Sequence, residues 1–305
     1  MFRDIRAHFG IKKKCFLDEL LQDMELLSGG AGRSGSEVWT SKNGLFVIKS
    51  ITYEEGKLLR TILSRYYAHV KLYPHTLLVR IYGLYRVTPP NGPEVRLIVM
   101  NNIFYTKKHL HLKFDLKGSK VGREVLGEGG TLKDVNFDRK MGKIYLSTQK
   151  KEVMKQLERD VNFLTQQDIM DESLLLGYHN SGLDEKSVPI RKRGKQESEQ
   201  ISEHIIVFEG MIDGPLVLTQ SGLLGSVFQD GLIAMEDKDL GHPRKCEGGI
   251  ELYFIGIVDI LQLYNFKKQF ESKLKSMQHK ASDVSSISTA EYAERFLNYC
   301  DRIIE

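Results

Sequence analysis

The sequence has few cysteines and no long apolar run, and each absence excludes a class of protein. Its three cysteines, Cys15, Cys246 and Cys300, lie far apart, so neither a disulfide framework nor a cysteine zinc site is expected. No segment reaches the roughly 18 consecutive apolar residues of a membrane-spanning helix, and residues 1–4 lack the apolar core of a secretory signal. We therefore expect a soluble, cytoplasmic protein whose contact with membranes is peripheral.

The net charge is also small, which argues against nucleic acid as a partner. The 44 lysines and arginines exceed the 40 acidic residues by 4, so an anionic partner would have to meet a local basic patch. Hydrophobic residues make up 41% and charged residues 28% of the 305 positions, which is typical of a folded globular chain. This length accommodates one large domain or two closely packed lobes.

The first 105 residues predict a mostly antiparallel sheet with helices, an α+β arrangement. Apolar residues recur at helical spacing over Asp18–Leu27 and Glu54–Tyr67, which predicts two helices. Asn43-Gly44 predicts a tight hairpin between two strands, because this pair readily adopts the positive φ angles of such a turn. The predicted strands are Glu37–Thr40, Leu45–Ile51, Leu77–Val87 and Val95–Met100.

From Thr106 onward the pattern predicts a larger lobe of mixed helices and strands. One strand is so apolar that it should be buried, and the last helix should begin at a capping box of Ser288 and Glu291. The charged segment Leu183–Glu203 is poor in apolar residues, which predicts an exposed insertion. The remaining elements are the strand His109–Leu116, the amphipathic helix Lys151–Asp168 and the buried strand Leu252–Leu261.

The segment Gly32-Arg33-Ser34-Gly35-Ser36, at the start of the hairpin, is the first candidate binding element. Glycines let backbone N–H groups approach phosphate oxygens, and Lys49 on the following strand would bring a positive charge to the same phosphates. Glu54 or Glu55 would then pair with Lys49. An ordinary glycine-rich loop and a helix-start acid favoured by the helix dipole are the simpler interpretations.

Two aspartates form the second group of candidates. Asp259 lies in the predicted buried strand, where a carboxylate is costly unless a metal ion or a helix N-terminus compensates it. An aspartate at the solvent end of that strand is the alternative. Asp171 follows the amphipathic helix and precedes a strand, a place from which a carboxylate can orient a substrate hydroxyl. An isolated aspartate there is ordinarily a turn residue.

Asp115, Lys117 and Arg123 form the third group. The first two share one face of a strand, so a plain ion pair explains them as well as a chemical role does, and Arg123 could simply lie at the surface. Taken in chain order, the glycine loop, the strand lysine and the two aspartates describe a phosphotransferase.

Seven segments of the chain resemble, in the same order, the signature segments of phosphatidylinositol phosphate kinases. The resemblance extends over nearly the whole chain, while residues 183–248 match loosely and correspond to the family's variable insertion. It implies one catalytic domain, 1–305, with the two-lobed α+β PIP-kinase fold, distantly like protein kinases: an antiparallel-sheet N-lobe of residues 1–105 and a larger mixed C-lobe of residues 106–305. The resembling segments are Phe2–Ile11, Tyr82–Tyr85, Met100–Asn102, Phe114–Ser119, Ile169–Leu175, Ile257–Leu261 and Tyr292–Phe296.

The resemblance implies that the N-lobe binds ATP. Lys49 would bind the phosphates, Glu55 would be its partner on the following helix, and the glycine-rich loop would fold over the nucleotide. A segment at the hinge between the lobes would lie beside the adenine. The cofactor-binding residues implied in this way are Gly32, Ser34, Gly35, Ser36, Lys49, Glu55, Met100, Asn101 and Asn102.

The resemblance also implies which residues would carry the transfer. Asp171 would be the catalytic-loop aspartate facing the inositol hydroxyl, and Asp259 would bind magnesium. Lys117 would sit near the transferred phosphate, and Arg123 would grip the phosphate already on the lipid. These residue types suit the chemistry, because phosphoryl transfer depends on positioning and charge stabilisation more than on covalent catalysis.

The segment after Asp259, about residues 260–288, would be an activation loop that selects the lipid and touches the membrane. Gln262–Phe296 aligns with the type I pattern, and Glu271 falls where type I enzymes carry glutamate and type II enzymes carry alanine. Each basic residue near an anionic leaflet adds about 1 kcal/mol of attraction, although a solvated loop face explains the same charge. The basic residues concerned are Lys267, Lys268, Lys273 and Lys275.

The resemblance therefore implies a kinase that uses ATP and Mg²⁺ to convert phosphatidylinositol 4-phosphate into phosphatidylinositol 4,5-bisphosphate. We expect it to work peripherally on the cytosolic face of the plasma membrane. Family members also answer to small GTPases, to which no residue of this chain points, and the oligomeric state stays open.

Three alternatives remain at this point. The first is a type II-like 4-kinase acting on phosphatidylinositol 5-phosphate, and the second is a weakly active scaffold that binds phosphoinositides. Glu172, where the family has tyrosine, favours the scaffold because a second carboxylate would repel Asp171. The third is a protein kinase, against which the absence of His-Arg-Asp and Asp-Phe-Gly triplets argues.

Overall fold

The structure is a computed structural model, and its described residues cover both predicted lobes. The predicted insertion and activation loop lie largely outside them, as does most of the glycine-rich loop. The described residues are 1–28, 36–88, 93–127, 130–180, 182–183, 232–233, 251–262 and 288–305.

The N-terminal part of the chain forms a five-stranded antiparallel sheet in the order β1-β2-β3-β5-β4. The predicted hairpin is confirmed, because β2 pairs with β3 and Gly44 adopts a φ of 76° in the turn between them. The long connection between β3 and β4 contains a helix, and β5 lies between these two strands. The strands are β1 Met24–Ser28, β2 Val38–Ser41, β3 Phe46–Ile51, β4 Ile81–Val87 and β5 Val95–Asn101.

The predicted helix at Asp18–Leu27 is wrong. The chain instead forms a helix at Lys13–Leu20 and then the strand β1, in which Glu25 pairs with Thr40 and Leu26 with Trp39. The helical spacing of the apolar residues is real, but the free edge of β2 offers hydrogen-bond partners to the backbone. Tertiary pairing of this kind routinely overrides local propensity.

Three helices accompany this sheet, α1 Phe2–His8, α2 Lys13–Leu20 and α3 Tyr53–Leu72. The third confirms the predicted helix and extends it at the C-terminal end. It begins at a capping box, in which Thr52 accepts from the Glu55 N–H and Glu55 accepts from the Thr52 N–H. Its buried face includes Leu58, Leu59 and Ile62, as the spacing predicts.

The C-terminal part forms a four-stranded antiparallel sheet in the order β6-β7-β9-β8. The central strand β9 is buried almost throughout, which confirms the prediction from its apolar run. The division of the chain at residues 105–106 stays a prediction, although the two sheets lie on either side of it. The strands are β6 Leu112–Leu116, β7 Ser173–Asn180, β8 Leu232–Ile233 and β9 Glu251–Val258.

The described residues also form three α-helices beside this second sheet, α4 Asp134–Lys140, α5 Lys150–Thr165 and α6 Thr289–Ile303, and a short 3-10 helix, Ser147–Gln149, precedes α5. The predicted capping box of Ser288 and Glu291 is confirmed at the start of α6. The apolar stripe of α5 is fully buried, so this helix also forms as predicted. Within the described part of the chain, no helix combines the length and apolar character needed to cross a membrane.

The two sheets are joined by the segment that precedes β4. The Ile257 N–H donates to the Leu77 carbonyl at 2.6 Å, and the Val79 N–H donates to the Ile257 carbonyl at 2.8 Å. The predicted strand Leu77–Val87 therefore begins late, at Ile81, because its first residues bond to β9 instead. These contacts place the end of β9 against the N-terminal sheet, where the candidate site lies.

Candidate active site

The antiparallel register of β7 and β9 brings two of the predicted aspartates together. Asp171 lies just before β7 and Asp259 just after β9, and Ser173 pairs with Val258 in the ladder between them. Both aspartates adopt left-handed backbone conformations, with φ of 70° and 61°. Such φ values are uncommon for residues other than glycine and concentrate at functional sites. The Met170 N–H donates to the Gln262 carbonyl at 3.0 Å and ties the two segments together.

Lys49 reaches this edge of the second sheet from the first. It lies in β3 opposite Val38 and Ile98, and its Nζ is 3.0 Å from Oδ1 of Asp259. The two side chains are partly buried, with 19% and 34% exposure, so this ion pair is screened less than a surface pair. A strand lysine and a metal-type aspartate, 210 positions apart in the chain, therefore meet.

The expected partnership of Lys49 with Glu55 is wrong in this structure. One carboxylate oxygen of Glu55 accepts from the Thr52 N–H at 2.7 Å, and the other accepts from Nε2 of Gln262 at 3.2 Å. The simpler interpretation, a helix-start acid, describes this residue better. The capping box and Gln262 occupy the carboxylate that sequence reasoning assigned to Lys49.

Lys117 contacts the other aspartate. It follows β6 directly, and its Nζ donates to the main-chain carbonyl of Asp171 at 2.5 Å. The ammonium group is thereby held at the residue predicted to face the substrate hydroxyl. The plain ion pair of Lys117 with Asp115, the alternative interpretation, does not form.

Asp115 pairs with Arg123 instead. Nη2 of Arg123 is 2.8 Å from Oδ1 of Asp115, and Nε is 2.7 Å from Oδ2 of Asp134. Burial acts to lower the pKa of the guanidinium, but the two carboxylates outweigh it and raise that pKa. The side chain of Arg123 is 13% exposed, so the alternative interpretation, in which Arg123 simply lies at the surface, is wrong.

Asp134 is the site residue that sequence reasoning missed. Its carboxylate is 1% exposed and accepts hydrogen bonds from both Arg123 and the turn that follows β6. In the sequence it is one more aspartate at the start of a short helix, a position that helix electrostatics already favours. No local signal distinguishes it from such an acid.

Glu172 lies beside Asp171 and is buried, with 1% exposure. Burial raises the pKa of its carboxyl to about 7, against the opposing effects of its own N–H group and Lys117, and with a further increase from Asp171. Among the described residues, Oε2 has no hydrogen-bond partner. The sequence predicts repulsion within this pair of carboxylates, and the structure locates a raised pKa on Glu172.

A cleft of about 950 Å³ opens between the two sheets. Its lining includes apolar side chains of β3 and β5, among them Val47, Ile51 and Ile98, together with Lys49 and Asp259. Asp171, Lys117 and Arg123 lie outside this lining. The predicted cofactor-binding residues that line the cleft are Lys49, Glu55, Met100, Asn101 and Asn102.

Hydrogen bonds hold the segment Met100–Asn102, which lines this cleft. The side-chain oxygen of Asn101 accepts from the Arg80 N–H at 2.7 Å, and the Asn102 amide donates to the Gly44 carbonyl at 2.8 Å. Of the predicted glycine-rich loop, Ser36 alone is described; Gly32, Ser34 and Gly35 lie outside the described residues. So do the predicted lipid-selecting and membrane-contacting residues, which are Lys267, Lys268, Glu271, Lys273 and Lys275.

The chain resembles known lipid kinases over almost its whole length. A sequence model of the Phosphatidylinositol-4-phosphate 5-Kinase family matches residues 19–303. A probable phosphatidylinositol phosphate kinase of Dictyostelium discoideum is 35% identical over all of this chain and 46% of its own length. The chain thus spans about half the length of that relative.

Two further relatives carry different names. A phosphatidylinositol 5-phosphate 4-kinase type-2 alpha of Mus musculus is 32% identical over all of this chain and 76% of its own length. A phosphatidylinositol 4-phosphate 5-kinase of Schizosaccharomyces pombe is also 32% identical, over all of this chain and 45% of its own length. Overall identity therefore does not separate the two lipid specificities.

Proposed function

The chain belongs to the phosphatidylinositol phosphate kinase family, and on that premise we propose that it transfers the γ-phosphoryl group of ATP to the 5-hydroxyl of phosphatidylinositol 4-phosphate. The observation that carries the proposal is the meeting of Lys49 with Asp259 and of Lys117 with Asp171 at one edge of the second sheet. Two cations and two carboxylates in this arrangement suit phosphoryl transfer, which requires charge stabilisation and positioned groups.

Each of these residues has a distinct part in the proposed reaction. Lys49 binds the ATP phosphates in the cleft that it lines. Asp171 orients the attacking inositol hydroxyl and accepts its proton, while Lys117 offsets negative charge on the transferred phosphoryl group. Arg123 binds the phosphate already present on the lipid through the part of its guanidinium that Asp115 and Asp134 do not occupy.

The chemistry of Asp259 fits magnesium. Mg²⁺ prefers oxygen ligands and is usually bound through one or two carboxylates together with substrate phosphates. Within the described ranges no group of three histidine, cysteine or acidic side chains could hold a metal, so Asp259 would share the ion with the nucleotide. When bound, magnesium would neutralise charge on the ATP phosphates.

The 5-hydroxyl specificity rests on the type I pattern of residues 262–296, in which Glu271 is the distinguishing residue. We further propose that Lys267, Lys268, Lys273 and Lys275 contact an anionic membrane, and that the protein works on the cytosolic face of the plasma membrane. A 4-kinase acting on phosphatidylinositol 5-phosphate is the second candidate, favoured by the similarity to the Mus musculus relative.

The decisive experiment measures phosphate transfer from labelled ATP to vesicles that contain either the 4-phosphate or the 5-phosphate lipid. We expect preferential labelling of the 4-phosphate lipid and its loss in Asp259→Asn. Asp301→Asn is the matched control, because Asp301 is an exposed carboxylate paired with Lys150.

Each outcome has a defined meaning. Preference for the 5-phosphate lipid would replace the proposed specificity by the type II one, and Glu271→Ala tests whether that residue decides the choice. Labelling of neither lipid would contradict kinase activity altogether and favour a phosphoinositide-binding scaffold.

A further inference from the structure

The carboxylate of Asp134 gathers four hydrogen bonds from two neighbouring parts of the site. Oδ1 accepts from the main-chain N–H groups of Lys117, Gly118 and Ser119 at 3.0, 2.8 and 3.3 Å. Oδ2 accepts from Nε of Arg123 at 2.7 Å. A buried carboxylate is costly unless its partners are this complete. The carboxylate therefore links the backbone of the turn that carries Lys117 to the guanidinium of Arg123, and both residues have a part in the proposed reaction.

Three successive N–H groups that converge on one oxygen form a main-chain anion nest. The nest depends on Gly118, which adopts a φ of 68° and whose added Cβ would lie 2.9 Å from Cβ of Tyr299. The turn therefore has little freedom to relax. Because Asp134 holds the backbone of Lys117 from one side, the side chain extends in a defined direction and places Nζ on the Asp171 carbonyl.

The second set of contacts fixes the guanidinium of Arg123. Nε bonds to Asp134, and Nη2 bonds both to the side chain and to the main-chain carbonyl of Asp115. Nη1 makes no hydrogen bond to any residue that the structure describes. Two carboxylates thus hold the planar group in one orientation and leave one nitrogen available to an anionic ligand, the geometry in which arginine binds phosphate well.

We propose that Asp134 is a positioning residue for phosphoryl transfer, which orients Lys117 through its backbone and Arg123 through its side chain. This inference rests on the proposed function. Asp134 itself is buried, with 1% exposure, so its part is to hold these two residues. Its contribution is preorganisation: two cations are fixed before substrate arrives, so no free energy is spent on ordering them during the reaction.

The test compares steady-state kinetics of Asp134→Asn with the wild type on vesicles. Asparagine keeps the shape, but its amide nitrogen cannot accept a hydrogen bond from Arg123 or from the nest. Displacement of a reacting group by about 1 Å costs on the order of 10²-fold in rate. We therefore expect kcat to fall by about 10- to 100-fold and KM for lipid to rise, with KM for ATP unchanged.

The same helix supplies the control. Asp138 lies one turn further along α4 and pairs with the exposed Lys120 at 3.2 Å, so Asp138→Asn should leave all three constants as in the wild type. Asp134→Glu keeps the charge but moves the carboxylate by one methylene, and it should lower kcat as well. It serves in place of the asparagine variant if that variant does not fold.

A double-variant cycle tests whether Asp134 acts through Lys117. Lys117→Met removes the ammonium, so adding Asp134→Asn should lower kcat by less than about 3-fold, since residues that act as a unit are not additive. Wild-type kcat in Asp134→Asn or Asp134→Glu, or multiplicative losses in the double variant, would overturn the inference. An inactive wild type would instead overturn the proposed function on which it depends.

Discussion

Two buried carboxylates, Asp160 and Glu172, occupy very different surroundings. Asp160 on α5 is 0% exposed and accepts from the Thr76 hydroxyl, the Leu77 N–H and the Gln156 amide, with Nε2 of His69 at 2.6 Å. Glu172 is 1% exposed, and one of its oxygens has no partner among the described residues.

The comparison distinguishes a carboxylate that stabilises the fold from one that lies at the candidate site. Apart from Gln156 on α5 itself, the partners of Asp160 come from α3 and from the segment that joins the two sheets, so this carboxylate holds the N-terminal part against the C-terminal part. Glu172 stands beside Asp171, where an unsatisfied buried acid costs stability. A fold tolerates that cost more readily at a functional site, where strained and perturbed groups concentrate, and Asp171 belongs to the proposed one.

The largest expected effect is on stability at Asp160. Asp160→Ala leaves the Leu77 N–H, the Thr76 hydroxyl and His69 without their acceptor, and removing one partner of such a buried network costs about 3–5 kcal/mol. Chemical denaturation measures this loss. Glu158→Ala, at an exposed position on the same helix, should change the free energy of unfolding by less than about 0.5 kcal/mol. Equal losses of unfolding free energy in the two variants would show that the buried hydrogen bonds of Asp160 contribute no more to stability than an exposed carboxylate does.

The second prediction concerns pH. The pKa of Glu172 is raised to about 7 in the folded state from an ordinary value of 4.5, so the folded state binds the extra proton. Its contribution to stability is complete below pH 4.5 and is lost as the pH rises through 7, in total about 3 kcal/mol. Glu172→Gln carries no such proton, so its unfolding free energy should decline less between pH 4.5 and 8.

This comparison has a built-in control. Among the described residues, the groups that face Glu172 are Lys117, Asp171, Arg295, Tyr292 and Cys300, and all five remain in the glutamine variant. Parallel pH curves for the wild type and Glu172→Gln would show that Glu172 ionises normally in the folded protein.

The smallest expected effect is on stability at Arg65, beside the contact between the N-terminal and C-terminal parts that Asp160 stabilises. Nη1 of Arg65 on α3 donates to Oε1 of Gln167 at 2.7 Å, but Arg65 is exposed. A hydrogen bond of this kind contributes about 1 kcal/mol, so Arg65→Met should lower the free energy of unfolding by about that amount and leave kinase activity unchanged. A loss of unfolding free energy as large as that of Asp160→Ala would contradict this prediction, because it would show that Arg65 contributes as much to the contact as Asp160 does.

Much of the fold could be predicted because buried apolar residues recur along the sequence at the period of a helix or a strand, and because turns and helix caps have local sequence signals. The stripe of α5, the capping box of α6 and the hairpin at Asn43-Gly44 are local features, and all of them form as predicted. The helix predicted over Asp18–Leu27 fails because a strand partner 13 positions away, Trp39 opposite Leu26, leaves no mark in the segment itself. Pairing between strands is settled by what lies next to the chain in space.

The candidate site could likewise be predicted only in part. Residue types and their order point to Lys49, Asp171 and Asp259, since phosphoryl transfer needs positive charge and carboxylates whatever the fold, and the family resemblance adds Lys117. The partners of those residues could not be predicted in this way. Asp259, in place of Glu55, meets Lys49, and Asp134, which carries no local signal, holds the turn after β6. The sequence by itself determined the chemical groups and the helical and strand periodicities, because these depend on neighbours along the chain. Only the tertiary structure decided which carboxylate faces which cation, because charges act over a few ångströms of space and the antiparallel register of β7 and β9 sets those distances.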